Sequence, residues 1–482
     1  MIMKRLSIIL IMAGILFPAL SYSQTVDTMR TRQAQDTLHL RPYGEKKPEP
    51  EVFVAPPDTT VKSSEASDLA KGDIVKTGLS FGPLPVIAFD NDKGFQYGAL
   101  LNIYNFGDGS WYPIPKSQWY LEVSRFTKGS QLYVISYDNR TLIPGVRLST
   151  ALHVTRDKAL DFYGFNGYES FYDSSLETGF YRMDRMVHTF KVDFTGLIKG
   201  NFYWKAGYHF SHFKTGAFAG ENYTLPTTLF EIYKNVGIIP EKQAEGGISS
   251  AIRVGLMYDS RDFEAAPSRG VWAEANLAYA PKFLGTSVGY TKYNLTFRNY
   301  LPIAKDKLVF AYRLNLQGFL GKENPAFYVL PYDMYLGTGY DREGFGGYRT
   351  VRGLMGGRIQ GAHTCYFNTE LRWRFVSFHL WKQNIAFALS GFFDGARVLK
   401  GFGNDFDITG LSPYTPISSY YPPQGNLPYT LYGGKEKFHL SAGGGIRFIM
   451  NRNFIVAVEY GKAFDAQDNS KGALYINTGF LF

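Results

Sequence analysis

From Thr77 onward the chain consists of segments of about ten residues in which apolar residues alternate with small or polar ones, separated by turn signals. A period of two sends alternate side chains to opposite faces of a strand, as required when one face meets lipid and the other a polar lumen. Sixteen such segments begin near Gly78, Phe95, Ser117, Gln131, Val146, Gly179, Phe202, Ile248, Gly270, Gly289, Lys307, Cys365, Asn384, Phe438, Asn453 and Ala473. In the later part of the chain their connections alternate in length. Short ones are LIKGN from Leu197, LPIAKDK from Leu301 and MNRN from Met450; long ones run near 217–247, 321–364 and 400–436. Counting strands puts these long loops on one side and these short turns on the other, which outer-membrane barrels require and a soluble sandwich has no reason to obey. The fold expected is all-β: a 16-stranded antiparallel transmembrane β-barrel over 75–482.

The rest of the composition agrees with this. Aromatic residues make up 17% of the chain, with 35 Tyr and 39 Phe beside 51 Gly, which suits a girdled, curved sheet; a large secreted β-protein is the alternative. Ahead of the barrel, Lys4 and Arg5 precede an apolar run from Leu6 to Leu20 and then Ser21 and Ser23, an export signal over 1–23 with cleavage expected after Ser23. That run is shorter than the roughly 20 residues a membrane helix needs, and no later stretch is longer. Residues 24–74 are rich in Thr, Asp, Lys, Glu and Pro (RPYGEKKPEPEVFVAPPDTT from Arg41) and read as a disordered periplasmic tether.

Several chemistries are disfavoured. The one cysteine, Cys365, permits neither an internal disulfide nor a cysteine metal site, and no lipobox cysteine follows the signal. The formal charge of +9 is scattered rather than gathered in a run, so it reads as lumen and rim charge and not as a nucleic-acid surface. The eight histidines lack HExxH or other ligand spacing, so neither metal nor cofactor is expected. GTSVG from Gly285 fits a Gly-x-Ser-x-Gly pattern around Ser287. It lies in a hairpin instead of a strand-to-helix turn and has no evident His and acid partners, so the expectation is no enzyme. NDFDITG from Asn404 resembles half of a calcium loop through Asp405, Asp407 and Thr409, but Pro416 stands where the closing Glu belongs.

The last segment, ALYINTGFLF from Ala473, sets Leu474, Ile476, Thr478, Phe480 and Phe482 on one face and Ala473, Tyr475, Asn477, Gly479 and Leu481 on the other. It resembles the C-terminal β-signal of outer-membrane proteins, which implies that the terminal Phe faces lipid. GGYRTVRGLMGGR from Gly346, deep in the long connection before the twelfth segment, has a Val-Arg-Gly triplet amid dense glycine. It resembles the tip of loop 6 in the BamA/TamA superfamily (bacterial surface antigen family), where the loop folds back into the lumen. The resemblance makes Arg352, followed by Gly353, the tip arginine, and a confined guanidinium needs carboxylate partners.

Candidates follow on the next two segments. In YFNTELRWRF from Tyr366, alternation groups Asn368, Glu370, Arg372 and Arg374 inward, with Phe367, Leu371, Trp373 and Phe375 outward. In IAFALSGFFDGARV from Ile385, Ala386, Ala388, Ser390, Phe392 and Asp394 share the small or polar face, and FFDGA resembles the family's aromatic-Asp-Gly element. Leu354 stands where the family usually has an aromatic. YDSRDFEAAPSRGVW from Tyr258 resembles a periplasmic turn of the family, with Asp259, Arg261 and Asp262 pairing locally and Gly270 opening the next strand. DFYGFNG from Asp161 resembles an outer-loop element.

These resemblances cover Gly78 to Phe482 and leave no POTRA module, since some 50 residues of tether composition cannot hold one. They imply a bacterial outer-membrane protein, both termini periplasmic, with membrane lipids, assembly partners and client β-barrels as its partners. The function implied is that of a biogenesis factor or accessory that helps insert or translocate proteins. A structural or pore-forming barrel without insertase activity is the alternative.

Overall fold

A computed structural model describes residues 76–482 apart from 91–93, 113, 221–222, 263–265, 305–306, 322, 335–341, 344, 381–382, 404–431, 451–453 and 479–480. The export signal over 1–23, the tether over 24–74, the Asp405 loop and Phe480 lie outside the described residues.

The wall is a 16-stranded antiparallel sheet. Its strands are β1 (Leu79–Asp90), β2 (Gly94–Asn105), β3 (Ser117–Phe126), β4 (Gln131–Ile143), β5 (Val146–Asp161), β6 (Arg182–Lys199), β7 (Phe202–Ala217), β8 (Gly246–Asp259), β9 (Gly270–Ala280), β10 (Tyr290–Ala304) and β11 (Leu308–Leu320). A two-residue pair, β12 (Tyr332–Asp333) with β13 (Arg342–Glu343), forms a separate small ladder. The wall resumes with β14 (His363–Leu380), β15 (Gln383–Lys400), β16 (His439–Met450), β17 (Phe454–Ala463) and β18 (Ala473–Thr478). Every wall strand pairs with its neighbours in chain order, leaving β1 and β18 as the two ends. The expected segment starts agree with the strand starts, the widest offset being Gly179 against Arg182. β6, β14 and β15 reach 18 residues each, longer than the expected ten.

Alternation works here in the reverse sense of a soluble protein. On β9, Trp272, Glu274, Asn276, Ala278 and Ala280 are buried inward while Leu277 and Tyr279 are exposed outward. Such an apolar exterior around a polar interior is stable when lipid is the outer solvent. The connections after β5, β7, β11 and β15 are long and lie on one side; those after β4, β6, β10, β14 and β16 are short and lie on the other, as parity requires.

Over the long-loop side sits an apolar cap. Phe162, Phe165 and Phe180 from the β5–β6 connection pack with Leu229, Ile232, Tyr233 and Ile239 from the β7–β8 connection and Phe327 to Leu330 from the β11–β14 connection. The cap helix Leu229–Asn235 starts at a reciprocal capping box, Thr228 with Glu231. Asn166 holds a left-handed φ of 65° and clasps Phe402, its Nδ2 donating to the Phe402 carbonyl at 3.0 Å and its Oδ1 accepting from the Phe402 N–H at 2.7 Å. The DFYGFNG element thus builds the core of the cap.

Candidate functional site at the loop 6 tip

The connection from β11 to β14 dips back into the barrel and brings Arg352 to zero exposure. Its Nε and Nη2 donate to the two carboxylate oxygens of Asp394 on β15 at 2.9 and 3.1 Å, and its backbone N–H adds a third bond to Asp394 at 3.1 Å. Nη1 donates to Glu370 on β14 at 2.8 Å and to Glu459 on β17 at 2.9 Å. The guanidinium also lies 3.6 Å over the Phe392 ring. Glu370 and Asp394 therefore stand where alternation placed them, and the structure brings both to Arg352.

The network is larger than the three charges read from the sequence. Arg447 on β16 bridges Glu370 and Glu459, each at 2.8 Å, and Arg372 reaches Glu370 at 3.0 Å. Three guanidiniums thus face three carboxylates, Glu370, Asp394 and Glu459. Buried ions are tolerable only when paired, and equal numbers of each sign supply that pairing. Inward parity on β16 and β17 was the signal that could have found Arg447 and Glu459.

Gly353 does what no other residue could. Its φ is +89°, and a Cβ there would lie 2.7 Å from the Lys462 backbone nitrogen, so the tip abuts β17 directly. The Gly353 N–H donates to the Tyr475 hydroxyl on β18 at 2.8 Å, and Ser441 Oγ on β16 donates to the Arg352 carbonyl. One loop tip therefore holds β14, β15, β16, β17 and β18. Leu354, in place of the usual aromatic, is buried with Phe345, Val351, Ile359 and Tyr366, so the tip packs without it.

Six residues on, Arg358 ties the same loop to the outer connections. It donates to the carbonyls of Gly167 at 2.9 Å and Ser170 at 3.0 Å in the β5–β6 connection, and of Gln467 at 3.1 Å in the β17–β18 connection. Tyr168 hydrogen-bonds Asp468 and stacks on His439 at 3.9 Å. Burial, with Asp468 beside it, pushes the Tyr168 phenol well above its usual range, and burial holds Tyr233 up at about 12, so both remain neutral cap donors.

The turn residues form a separate constellation. Asp259 and Arg261 make a bidentate pair at 2.9 and 2.7 Å, and Asp262 accepts from the Ser268 N–H at 2.9 Å. Gly270 has a φ of +104°, and a Cβ would meet the Ser260 carbonyl at 2.2 Å, so it closes the turn sterically. This turn joins β8 to β9 on the short-turn side. Ser287 Oγ accepts from the Ile248 N–H at 2.9 Å, joining the β9–β10 hairpin to β8.

One expectation is corrected. Phe482 does not face outward: it is 5% exposed, its ring lying 5.2 Å below Arg313 and 5.1 Å below Arg372, and its carbonyl accepts from Arg372 at 2.9 Å. The last described strand residue is Thr478, and Leu481 and Phe482 instead pack inside against Tyr300, Val309 and Ala311. Two cations above one ring, plus a carbonyl acceptor, outweigh the period-two pattern at the chain end.

A family model described as the Omp85 superfamily domain matches residues 118–482. No curated protein matches the chain. Among solved structures, BamA from Haemophilus ducreyi lacking POTRA domains 1–3 is similar at a TM-score of 0.51 and 17% identity, the match covering 84% of this chain and 70% of that one. CdiB from Escherichia coli gives a TM-score of 0.49 at 11% identity, over 84% of this chain and 62% of that one.

Proposed function

Since this chain belongs to the Omp85 superfamily, whose barrels reside in the bacterial outer membrane and serve protein insertion or translocation, we propose that it is an outer-membrane biogenesis factor or accessory. In this reading the short-turn side, where β1 begins and β18 ends, faces the periplasm. Its partners are membrane lipids, client β-barrels and assembly proteins recruited by the N-terminal tether. The role is non-enzymatic: the chemistry is backbone pairing at an opened seam, where orphan amide groups in lipid favour any strand that satisfies them.

The observation that carries this reading is the Arg352 knot. It fixes loop 6 to β14, β15 and β17, and through Gly353 to β18, so one side of the seam is rigidly mounted on the lumen. A wall that opens at one place needs such a fixed reference beside the opening. Depletion in the host followed by quantitative proteomics of the outer membrane tests it. Loss of other β-barrels or exported surface proteins is the expected result, and an unchanged outer membrane would sink the proposal.

The apolar cap favours a second reading, a structural or plugged pore-forming barrel. Leu229, Ile232, Tyr233 and Ile239 are fully buried in it, and loop 6 occupies the lumen beneath. A single-channel record discriminates: steady conductance with an intact outer-membrane proteome after depletion would favour the pore.

A further inference from the structure

Among the described residues β1 pairs with β2 alone, in unbroken register from Leu79↔Asn105 to Asp90↔Gly94. Flanking hydrogen bonds fix which way its amide groups point. The Phe95 carbonyl accepts from Thr127 N–H at 2.9 Å, and the Asn105 carbonyl from Lys116 N–H at 2.8 Å, both across the β2–β3 side. The Phe106 N–H donates to the Gly78 carbonyl at 2.8 Å across the β1–β2 side. Odd-numbered residues of β2 therefore turn their amides to β3 and even-numbered ones to β1. By the pairing, Leu79, Phe81, Pro83, Pro85, Ile87 and Phe89 turn theirs to the free edge.

Pro83 and Pro85 are consecutive outward positions, so the middle of this edge offers carbonyls but no N–H donors. A strand laid along it would leave two of its own carbonyls without donors at lipid depth, and the pyrrolidine rings would crowd its approach. An edge left open, conversely, carries two fewer orphan donors. Across the seam, the described residues pair β18 with β17 over Ala473–Thr478, and Phe482 is turned inside. The family match begins at residue 118, so β1 lies ahead of it.

We propose that β1 is a guarded edge: Pro83 and Pro85 keep its centre from pairing with β18, so the seam lacks a continuous ladder and the outward amides beside them, Phe81 and Ile87, stay unpaired. This inference stands on the fold alone and not on the assembly role. If that role holds, client strands are not templated along the middle of β1.

Site-resolved hydrogen exchange on the full chain in nanodiscs tests it, with Pro83→Thr/Pro85→Thr beside the unaltered protein. In the unaltered protein the outward amides of Phe81 and Ile87 should exchange at least about 100-fold faster than the β2 amides facing β3. In the double variant they should slow by about tenfold, the effect of two added ladder bonds of ordinary strength. Slowing in a monomer shows closure onto β18; slowing with dimer formation shows edge-to-edge pairing of two copies, and either supports the guard. Protection already equal to β2 in the unaltered protein, or no slowing in a folded double variant, overturns the proposal. The first comparison stands even if the variant does not fold.

Discussion

Arg352 shows how one side chain can set the position of a whole loop. Its five donors suit a fork between carboxylates, which Lys could not reproduce because it presents a point charge. Arg352→Ala would leave Glu370, Asp394 and Glu459 facing one another with only Arg447 and Arg372 nearby, a loss of about 3–5 kcal/mol for a broken buried pair. The barrel should still form, and limited proteolysis should now cut within 345–362; unchanged protection would contradict the anchoring role. Removing carboxylates has a graded outcome, because Glu459 is a third partner. Glu370→Ala with Asp394→Ala should loosen the loop less than adding Glu459→Ala does, and the three variants compared by the same proteolysis measure that coupling.

At the scale of elements, the cap depends on short pieces stabilised by their ends. The helix Leu229–Asn235 is seven residues long, too short to persist alone, and its first turn is held by Thr228 and Glu231 bonding each other's backbone N–H. Thr228→Ala should cost about 1 kcal/mol and act locally. Amide exchange across 229–239 should rise about fivefold while the wall strands keep their protection; a uniform change would show that cap and wall unfold together.

For the whole molecule, two closures act in series: the apolar cap above and loop 6 within. Because Arg358 ties loop 6 to the cap through the carbonyls of Gly167 and Ser170, the two should loosen together. Planar-bilayer recordings check this. The unaltered protein should conduct little, Arg352→Ala should raise the open level, and Arg352→Ala with Arg358→Ala should raise it further. Equal conductance in all three would mean that neither feature blocks the lumen.

The period-two pattern by itself determined the strand number, the parity of loops and turns, and the inward direction of Glu370 and Asp394, because strand geometry depends only on local alternation. The Val-Arg-Gly triplet marked Arg352 by its resemblance to the loop 6 tip of the superfamily, not by alternation, since a loop that folds back into a lumen leaves no period in the sequence. What alternation cannot register is which distant strands meet across a lumen. Glu459, Arg447 and Arg372 joined the network only when the sheet curved to bring β14, β16 and β17 around one point. The cap was hidden because its aromatics lie in three connections with no shared period. Phe482 went the other way from its pattern, since its environment is made by Arg313 and Arg372 on strands far away in sequence, and the energy of that contact exists only in the folded barrel.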